Sequence, residues 1–304
     1  MLKSKIFEIN VGNTCHKIFV PVQMILLVSV FTVFSAMNCT EKETGNDMTL
    51  IFDSIPVSHR VIPAINEASG IADSKINPGN IWLEEDSDNP PEITLLKHDG
   101  TVAKKIFLEG AVNRDWEDMA LYNDSIYIAD IGDNDKVYNQ YFFYIFQEPS
   151  SSIDTVKSYK KISFMYPDGS HNAEAFLMDR KSHDIFIITK SDNPSRVYRL
   201  TAPYSIQVNM LTLVGKLNYT GVVSAAISDD DKEVIVKTYL SLNYYKRKSG
   251  ENILACLLQS PKLLPYTLEP QGEAVCFSQG MSGFFTLSEK GLASFINLYF
   301  YPRK

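Results

Sequence analysis

The chain has 304 residues, of which 45% are hydrophobic, and this is enough to bury a substantial core. Its 16 Tyr and 17 Phe residues favour β-strands over helices. The formal net charge of −7 excludes a protein that tracks nucleic-acid phosphates, so we expect no nucleic-acid partner.

The N-terminus has the pattern of an export signal. Lys3, Lys5 and Lys17 precede an apolar run over residues 18–37. Cys39 follows that run almost directly. A charged region, an apolar region and small residues before a cleavage site define such a signal. We therefore predict a lipoprotein signal peptide over residues 1–38, lipidation of Cys39 and a polar tether over residues 39–47.

The residues before Cys39 resemble the lipobox of bacterial lipoproteins. Ser35 and Ala36 are small, as that pattern requires, whereas Asn38 stands where Gly, Ala or Ser is usual. The resemblance implies an exported protein that is lipid-anchored to the outer or inner membrane, with its folded domain outside the cytoplasm. The alternatives are an uncleaved signal anchor, since the apolar run is about long enough to span a bilayer, and secretion as a soluble protein.

Two cysteines lie beyond the predicted signal and anchor. Cys256 and Cys276 both occur in apolar runs typical of buried strands. We expect them to be buried free thiols, because lone cysteines in such runs behave as small apolar side chains. The oxidising compartment that an export signal implies would also permit a disulfide between them.

From about residue 48 onward the sequence repeats with a period of about fifty residues. Each repeat opens with an acidic or small residue and an apolar run, passes through a polar turn and enters a strand rich in aromatic and β-branched residues. The spacings between successive openings are 50, 57, 50 and 49 residues. The five openings are Glu67, Glu117, Glu174, Ser224 and Glu273.

Four short strands per repeat at this period predict an all-β fold, a single β-propeller of four-stranded blades over residues 48–304. We count five blades, with six as the alternative. The fifth repeat ends after its third strand, so we expect residues 48–55 to supply the missing outer strand and close the ring. In the fourth repeat we predict the third strand over residues 253–258 and a solvated basic loop over residues 244–248.

Four of the five openings carry a glutamate. Inner strands of a propeller surround one axis, so we expect these four carboxylates to gather at an axial funnel. Carboxylates held together repel one another and therefore require a bound cation, a basic partner or raised pKa values. Calcium suits hard oxygen ligands in irregular geometry, and it is the cofactor we expect. Lys190, which follows a second strand, is a candidate for neutralising the ring. Duplication of a stable blade would also explain the repeated glutamate.

A second repeated element follows the second strands of the first three blades. Its Asp-Asn pairs are Asp88-Asn89, Asp133-Asn134 and Asp192-Asn193, and Asp130 opens the second of these loops. Ordinary turn chemistry, cation binding and substrate contact are all consistent with such pairs.

Trp116 lies in a cluster of acidic residues, between Asp115 and the pair Glu117-Asp118. A flat apolar ring inside a polar cluster suits a sugar or another ring-shaped ligand. Packing of this Trp between two blades is the alternative.

These strings carry a resemblance to a known family. The combination Asp115-Trp-Glu-Asp118 and Asp130-Ile-Gly-Asp-Asn134 resembles a family of exported bacterial β-propeller proteins. The strings Val197-Tyr-Arg199, Gln271-Gly-Glu-Ala274 and Ser288-Glu289 also look like that family, and the resemblance covers residues 60–304. More loosely, the chain resembles phytase-like and gluconolactonase-like propellers, in which axial carboxylates hold calcium. It lacks the basic phosphate-gripping cluster of a phytase. The resemblance implies ligand or substrate contacts at Glu67, Glu117, Asp130, Asp133, Glu174 and Glu273.

Three functions from different classes fit these observations. The first is a binding module for a small ligand or peptide, assisted by calcium at the acidic funnel. The second is a calcium-dependent hydrolase of the phosphoesterase or lactonase type, with axial carboxylates as metal ligands and general base. The third is a protein-interaction scaffold. A fold this versatile does not decide among them.

Overall fold

The computed structural model describes residues 6–11, 14–19 and 51–304. Strands β1 (Ile6–Val11) and β2 (Thr14–Phe19) pair antiparallel in the first of two compact units. Among the described residues, no helix is long and apolar enough to cross a membrane.

Most of the predicted N-terminal features lie outside the described residues. They include Cys39, the tether and the greater part of the signal peptide. The lipid anchor therefore stays a prediction.

Residues 51–304 form five small antiparallel sheets, which are the blades of a five-bladed β-propeller. Blade 1 contains β4 (Ala68–Asp73), β5 (Asn80–Glu85), β6 (Glu92–Lys97) and β7 (Val102–Leu108). Blade 2 contains β8 (Trp116–Tyr122), β9 (Ser125–Asp130), β10 (Tyr141–Gln147) and β12 (Lys160–Met165). Blade 3 contains β13 (Ala173–Met178), β14 (Ile185–Thr189), β15 (Arg196–Leu200) and β17 (Thr212–Lys216). Blade 4 contains β18 (Val222–Ile227), β19 (Glu233–Thr238), β20 (Leu242–Lys246) and β21 (Lys262–Leu263). Blade 5 contains β22 (Gln271–Phe277), β23 (Gly283–Glu289), β24 (Asn297–Pro302) and β3 (Val57–Arg60).

Burial changes from the axis to the rim of each blade. The inner strands β4 and β13 are buried at every position, because neighbouring blades cover both of their faces. The outer strand β7 alternates between buried and exposed positions over much of its length, as expected when one face packs and the other meets water. The prediction of five four-stranded blades is confirmed.

The ring closes through an N-terminal strand, as predicted, but a different segment provides it. β3 pairs antiparallel with β24, whereas residues 48–55 contribute only an isolated bridge between Phe52 and Arg303 within the described part. All four residues of β3 are exposed, so this strand gives no apolar signal in the sequence. Phe52 is nevertheless fully buried against Phe284 and Tyr244, which explains why its segment has the apolar character of a strand.

Connections between third and outer strands reach back to cover the edge of the preceding blade. β11 (Thr155–Val156) pairs parallel with β7, and β16 (Asn209–Met210) pairs parallel with β12. In blade 4 the corresponding connection contains a short helix, α1 (Ile253–Leu257), whose Leu254 packs against Gly215 in blade 3. These additions protect edges that would otherwise present unpaired backbone groups.

Two predictions for blade 4 are wrong. Residues 253–258 are not a strand, since Asn252 caps a helical turn by accepting the Ala255 N–H at 2.8 Å. The buried side chains of this turn include Ile253, Cys256 and Leu257. A short apolar run of this kind is compatible with a buried strand or with a helical turn, so the sequence pattern does not distinguish the two. The basic loop predicted over residues 244–248 is largely strand β20, in which Tyr244 and Tyr245 are buried.

The two cysteines of the propeller are buried and free. Cys256 packs in the core of blades 3 and 4, and Cys276 packs in the core of blades 1 and 5. This agrees with the expected buried thiols and excludes a disulfide between them in this structure.

Candidate functional site

Every inner strand carries a β-bulge at the same place, near its first residue. The bulged residues are Ser69, Glu117, Glu174 and Val223 in blades 1 to 4 and Glu273 in blade 5. A bulge adds an unpaired residue and redirects its side chain, and bulges are frequent next to functional sites. Three of the four expected glutamates therefore share one position.

The structural equivalence differs from the predicted one in two blades. Glu67 lies two residues before the bulge of blade 1, where it is exposed and accepts a hydrogen bond from Asn89 Nδ2 at 2.7 Å. In blade 4 the bulged residue is Val223 instead of Ser224. The sequence repeat therefore identifies the inner strands, but it aligns their first residues only to within one or two positions.

A second set of equivalent positions faces the same end of the blades. In each blade, part of the second strand lies opposite the bulge, and the position meant here is the next residue along the chain. From blade 1 to blade 5 it is occupied by Asp86, Ile131, Lys190, Tyr239 and Glu289. Two residues earlier on the second strands come Glu84, Ala129, Ile188, Lys237 and Leu287. We use the name acidic funnel for the set from Asp86 to Glu289, together with Asp115 and the three bulged glutamates Glu117, Glu174 and Glu273.

Three carboxylates of the acidic funnel come close enough to share a cation. One ligand oxygen from each of Asp86, Asp115 and Glu117 lies within 4.8 Å of the others. Asp86 follows β5 in blade 1, whereas Asp115 directly precedes β8 and Glu117 belongs to β8 in blade 2, so this carboxylate trio bridges two blades. The backbone of Gly132 gives it room, because a Cβ there would lie 2.5 Å from Asp115 Oδ2 and closer still to Glu117.

The trio has little positive charge to balance it. Burial raises the pKa of Asp115 to about 7, and the neighbouring Asp86 carboxylate raises it further. Burial also raises the pKa of Glu117 well above its usual value, with Glu174 as the next contributor. Carboxyl groups with such pKa values are poised to exchange protons for a cation.

The opposite side of the acidic funnel contains a lysine network. Lys190 forms an ion pair with Glu174 and donates to the Tyr239 hydroxyl at 2.8 Å. That hydroxyl donates to Glu273 Oε1 at 2.5 Å, and the lysine Nζ lies 3.8 Å from the same oxygen. Burial raises the pKa of Glu174 to about 8, although Lys190 opposes this rise. The second oxygen of Glu174 is buried and has no hydrogen-bond partner within the described chain.

Glu289 lies beside Glu273 and completes this side of the acidic funnel. Gln271 Nε2 donates to Glu289 Oε2 at 2.7 Å. Burial raises the pKa of Glu289 to about 9, and repulsion from Glu273 adds to the rise. Glu289 therefore tends to keep its proton at neutral pH.

Glu84 lies deeper and was not among the predicted site residues. Its side chain is completely buried, and neither carboxylate oxygen has a hydrogen-bond partner in the described part of the protein. Gly70 leaves space for it, since a Cβ there would be 2.6 Å from Glu84 Oε1. Burial and then Asp86 raise its pKa well above the usual value. Its spacing of two residues from Asp86, on one face of a strand, is the sequence signal that identifies it.

Asp118 lies one residue past the bulge of blade 2 and joins three inner strands. Its two oxygens accept hydrogen bonds from four donors in blades 2, 3 and 4. The donors are Met119 N at 3.0 Å, Ser224 Oγ at 3.1 Å, Phe176 N at 3.2 Å and Ala225 N at 3.4 Å. Its position is therefore that of a structural cross-link between blades.

The carboxylates of Asp130 and Asp133 both have partners inside blade 2: those of Asp130 lie in the segment before β8, and two of those of Asp133 lie in its own loop. Asp130 accepts the Asp115 N–H at 3.2 Å and lies 3.4 Å from Arg114 Nε. Asp133 accepts the N–H groups of Val137 and Tyr138 at 2.8 and 2.9 Å, which is the behaviour of a turn former.

Trp116 is completely buried in the core shared by blades 1 and 2, where its ring lies 5.8 Å from that of Tyr144. It presents no face to a ligand in this conformation. The position corresponds to the alternative of a Trp packed between blades.

No family model and no curated protein matches this sequence. Among solved structures, a luciferin-regenerating enzyme is similar with a TM-score of 0.50 and 8% identity, covering 82% of this chain and 95% of that chain. An auxiliary nutrient binding protein from Bacteroides thetaiotaomicron has a TM-score of 0.46 and 10% identity over 79% of this chain and 70% of that chain. The first similarity supports the β-propeller fold. Membership of the family that the sequence motifs resemble stays a prediction.

Proposed function

We propose that this chain is an exported, membrane-anchored β-propeller whose acidic funnel binds a divalent cation, calcium, together with a small ligand or peptide. The observation that carries the proposal is the carboxylate trio, whose ligand oxygens lie within 4.8 Å of one another. Two further features of the structure support a cation at this place.

The first feature is the close approach of the Gly132 backbone to the carboxylates of Asp115 and Glu117. These carboxylates leave no space for a side chain at position 132. The second is the unpartnered, fully buried carboxyl group of Glu84, two residues before Asp86. An uncompensated buried acid is costly, and a nearby cation would lower that cost. Both features are consistent with a site built around positive charge.

The donor set fits calcium well. All three groups are carboxylates, and calcium takes about 6–8 hard oxygen ligands in flexible geometry. Three carboxylates leave positions for the oxygens of a ligand. When bound, calcium would supply positive charge that polarises such an oxygen. Lys190 directs its ammonium N–H groups at Glu174 and Tyr239, and its third N–H is a further hydrogen-bond donor for a ligand that reaches across the acidic funnel.

A calcium-dependent hydrolase is the second candidate function. The hydrogen-bonded chain from Lys190 through Tyr239 to Glu273 favours it, because such a chain can hold and move a proton. In that case, the double substitution Glu117→Gln and Glu174→Gln would abolish turnover of a phosphoester or lactone. A binding module would show stabilisation by its ligand and no turnover.

The membrane anchor is a separate part of the proposal. Its support is the sequence pattern that ends at Cys39. Cys39→Ser would prevent lipidation, so the protein would no longer carry the attached lipid, which mass spectrometry detects. A lipid that is absent from the unsubstituted protein, or that is still attached after this substitution, would contradict the anchor.

The cation is tested by thermal melting of the full-length chain in a non-ionic detergent, with calcium and with a chelator. At calcium concentrations about a hundredfold above Kd, binding adds roughly 2.7 kcal/mol to the free energy of unfolding. For a domain of this size, this raises Tm by about 5–10 °C. Asp115→Asn should remove the shift, and Asp135→Asn, an exposed carboxylate in the loop after β9, should retain it. A Tm that is insensitive to both calcium and chelator would contradict the proposal.

A further inference from the structure

A second concave site lies between blades 3 and 4, at the opposite end of the blades from the acidic funnel. The turns between first and second strands of these blades form it, together with the segment before α1. Its volume is about 620 Å³, which is in the range of small-molecule sites. We call it the rim groove.

The rim groove contains acidic and basic side chains in equal number. Its acids all have partners, whereas some of its basic groups have none among the described residues. Arg247 is buried and joins Asp179 at 2.6 Å to Asp231 at 2.5 Å. Lys232 pairs with Asp230 at 3.1 Å. One buried oxygen of Asp231 lacks a hydrogen-bond partner among the described residues.

The remaining two acids of the rim groove accept hydrogen bonds from neighbouring groups. Asp184 accepts the Ala202 N–H at 3.0 Å. Glu251 accepts Gln259 Nε2 at 2.7 Å and the Lys248 N–H at 3.0 Å. Every acid of the groove therefore has at least one partner.

Three basic side chains of the rim groove lack a charged partner among the described residues. In the described part of the chain, Arg199, Lys181 and Lys248 form no ion pair. Arg199 is the most significant of them because it is half-buried, its Nε has no hydrogen-bond partner, and it stands on strand β15 beside Phe186. A rigid strand positions a guanidinium more precisely than a loop does. Arg199 also belongs to one of the sequence motifs that the acidic funnel does not use.

Apolar groups line the same cavity. Phe186 forms part of its wall, and Val214 and Leu254 are partly exposed beside it. A ligand with a charged head and an apolar body would therefore find a partner for each part: an unpaired guanidinium for the head and side-chain hydrocarbon for the body.

We propose that the rim groove binds a small organic anion, a carboxylate or phosphate carried on an apolar group, with Arg199 as the residue that holds the anionic head. Guanidinium groups bind both head groups through two parallel hydrogen bonds. The site is independent of the acidic funnel and of calcium.

Isothermal titration calorimetry of the full-length chain in non-ionic detergent tests this site. The probes are phenyl phosphate, benzoate and inorganic phosphate, each titrated in the presence of a chelator. At least one aromatic anion should bind about tenfold more tightly than inorganic phosphate, because of its contact with Val214 and Leu254. Whichever aromatic anion binds more tightly identifies the head group.

Two variants separate the specific site from general charge effects. Arg199→Gln should weaken binding of the aromatic anion about tenfold or more, because it removes the charged fork. Arg60→Gln removes one positive charge from an exposed arginine of blade 5 and should leave binding unchanged. Absence of binding of both aromatic anions to the unmodified chain would overturn the proposal. Equal weakening in the two variants, or inorganic phosphate binding as tightly as the aromatic anions, would also overturn it.

Discussion

The backbone of Gly132 lies against the carboxylate of Glu117, closer than a side chain at that position would allow. Gly132 belongs to the loop after the second strand of blade 2, whereas Glu117 is the bulged residue of the inner strand. Their contact therefore fixes the loop over the inner strand and places Asp115 and Glu117 side by side. We expect this contact to be a requirement for the carboxylate trio.

Gly132→Ala tests that requirement. The added methyl group would displace Glu117 and Asp115, so the stabilisation by calcium should be lost, and the protein should be destabilised by about 1–3 kcal/mol through overpacking. Gly79→Ala is the comparison, because nothing lies within 4 Å of its Cβ position although its φ of 80° disfavours alanine. That variant should be mildly destabilised and should keep its full response to calcium. A normal calcium response in Gly132→Ala would contradict this geometry.

Asp118 should be important for stability and not for ligand binding. Asp118→Ala leaves the buried N–H groups of Phe176 and Ala225 without their acceptor, so we expect a loss of about 3–5 kcal/mol in the free energy of unfolding. Ser224→Ala removes only one of the four donors and should cost about 1 kcal/mol. Urea unfolding of both variants measures the difference. Costs of equal size would show that Asp118 does not join the three strands.

A buried ion pair connects blades 4 and 5. Lys237 Nζ and Glu269 Oε2 are 2.5 Å apart, and both side chains have an exposure of 0%. Lys237→Met should cost about 3–5 kcal/mol, because it leaves the Glu269 charge buried without a countercharge, with only the hydroxyl groups of Tyr266 and Thr286 donating to it. The double variant Lys237→Met with Glu269→Gln should recover a large part of that loss. Failure of the second substitution to restore stability would show that the pair acts through packing alone.

Glu289 should make stability depend on pH in a defined direction. The unfolded chain releases the proton of this group near its ordinary pKa of 4.5, whereas the folded chain retains it up to a pKa of about 9. The contribution of Glu289 is therefore fully present below pH 4.5 and is lost as the pH rises to about 9. Glu289→Gln should flatten this decline in chelator-treated protein, and Glu109→Gln, an exposed carboxylate, should not. An unchanged pH profile in Glu289→Gln would contradict the raised pKa.

The fold was accessible from the sequence because each blade repeats the same strand and turn pattern. The errors occur where this pattern has no signal. β3 is exposed at all four positions, so the sequence favours the more apolar residues 48–55 for closing the ring. The short apolar run from Ile253 to Leu257 is compatible with a strand or with a helix, and the hydrogen bond accepted by the Asn252 cap is what marks it as a helical turn.

The candidate site was accessible only in part. Glu117, Glu174 and Glu273 follow from the repeat because a bulge places them at one position. The partnership of Asp86 with Asp115 did not follow, because it joins residues from two blades and depends on the relative orientation of those blades. The sequence repeat also aligns the starts of the inner strands only approximately: Glu67 lies two residues before the bulged position of blade 1, and Ser224 lies one residue after that of blade 4.

Calorimetric titration of calcium into the full-length chain tests the central claim most directly. The carboxylate trio predicts one calcium ion bound per chain and loss of binding in Asp86→Asn, Asp115→Asn and Glu117→Gln. The exposed-carboxylate variant Asp135→Asn should bind as the unmodified chain does. Absence of calcium binding, or binding that survives all three substitutions in the trio, would contradict the account.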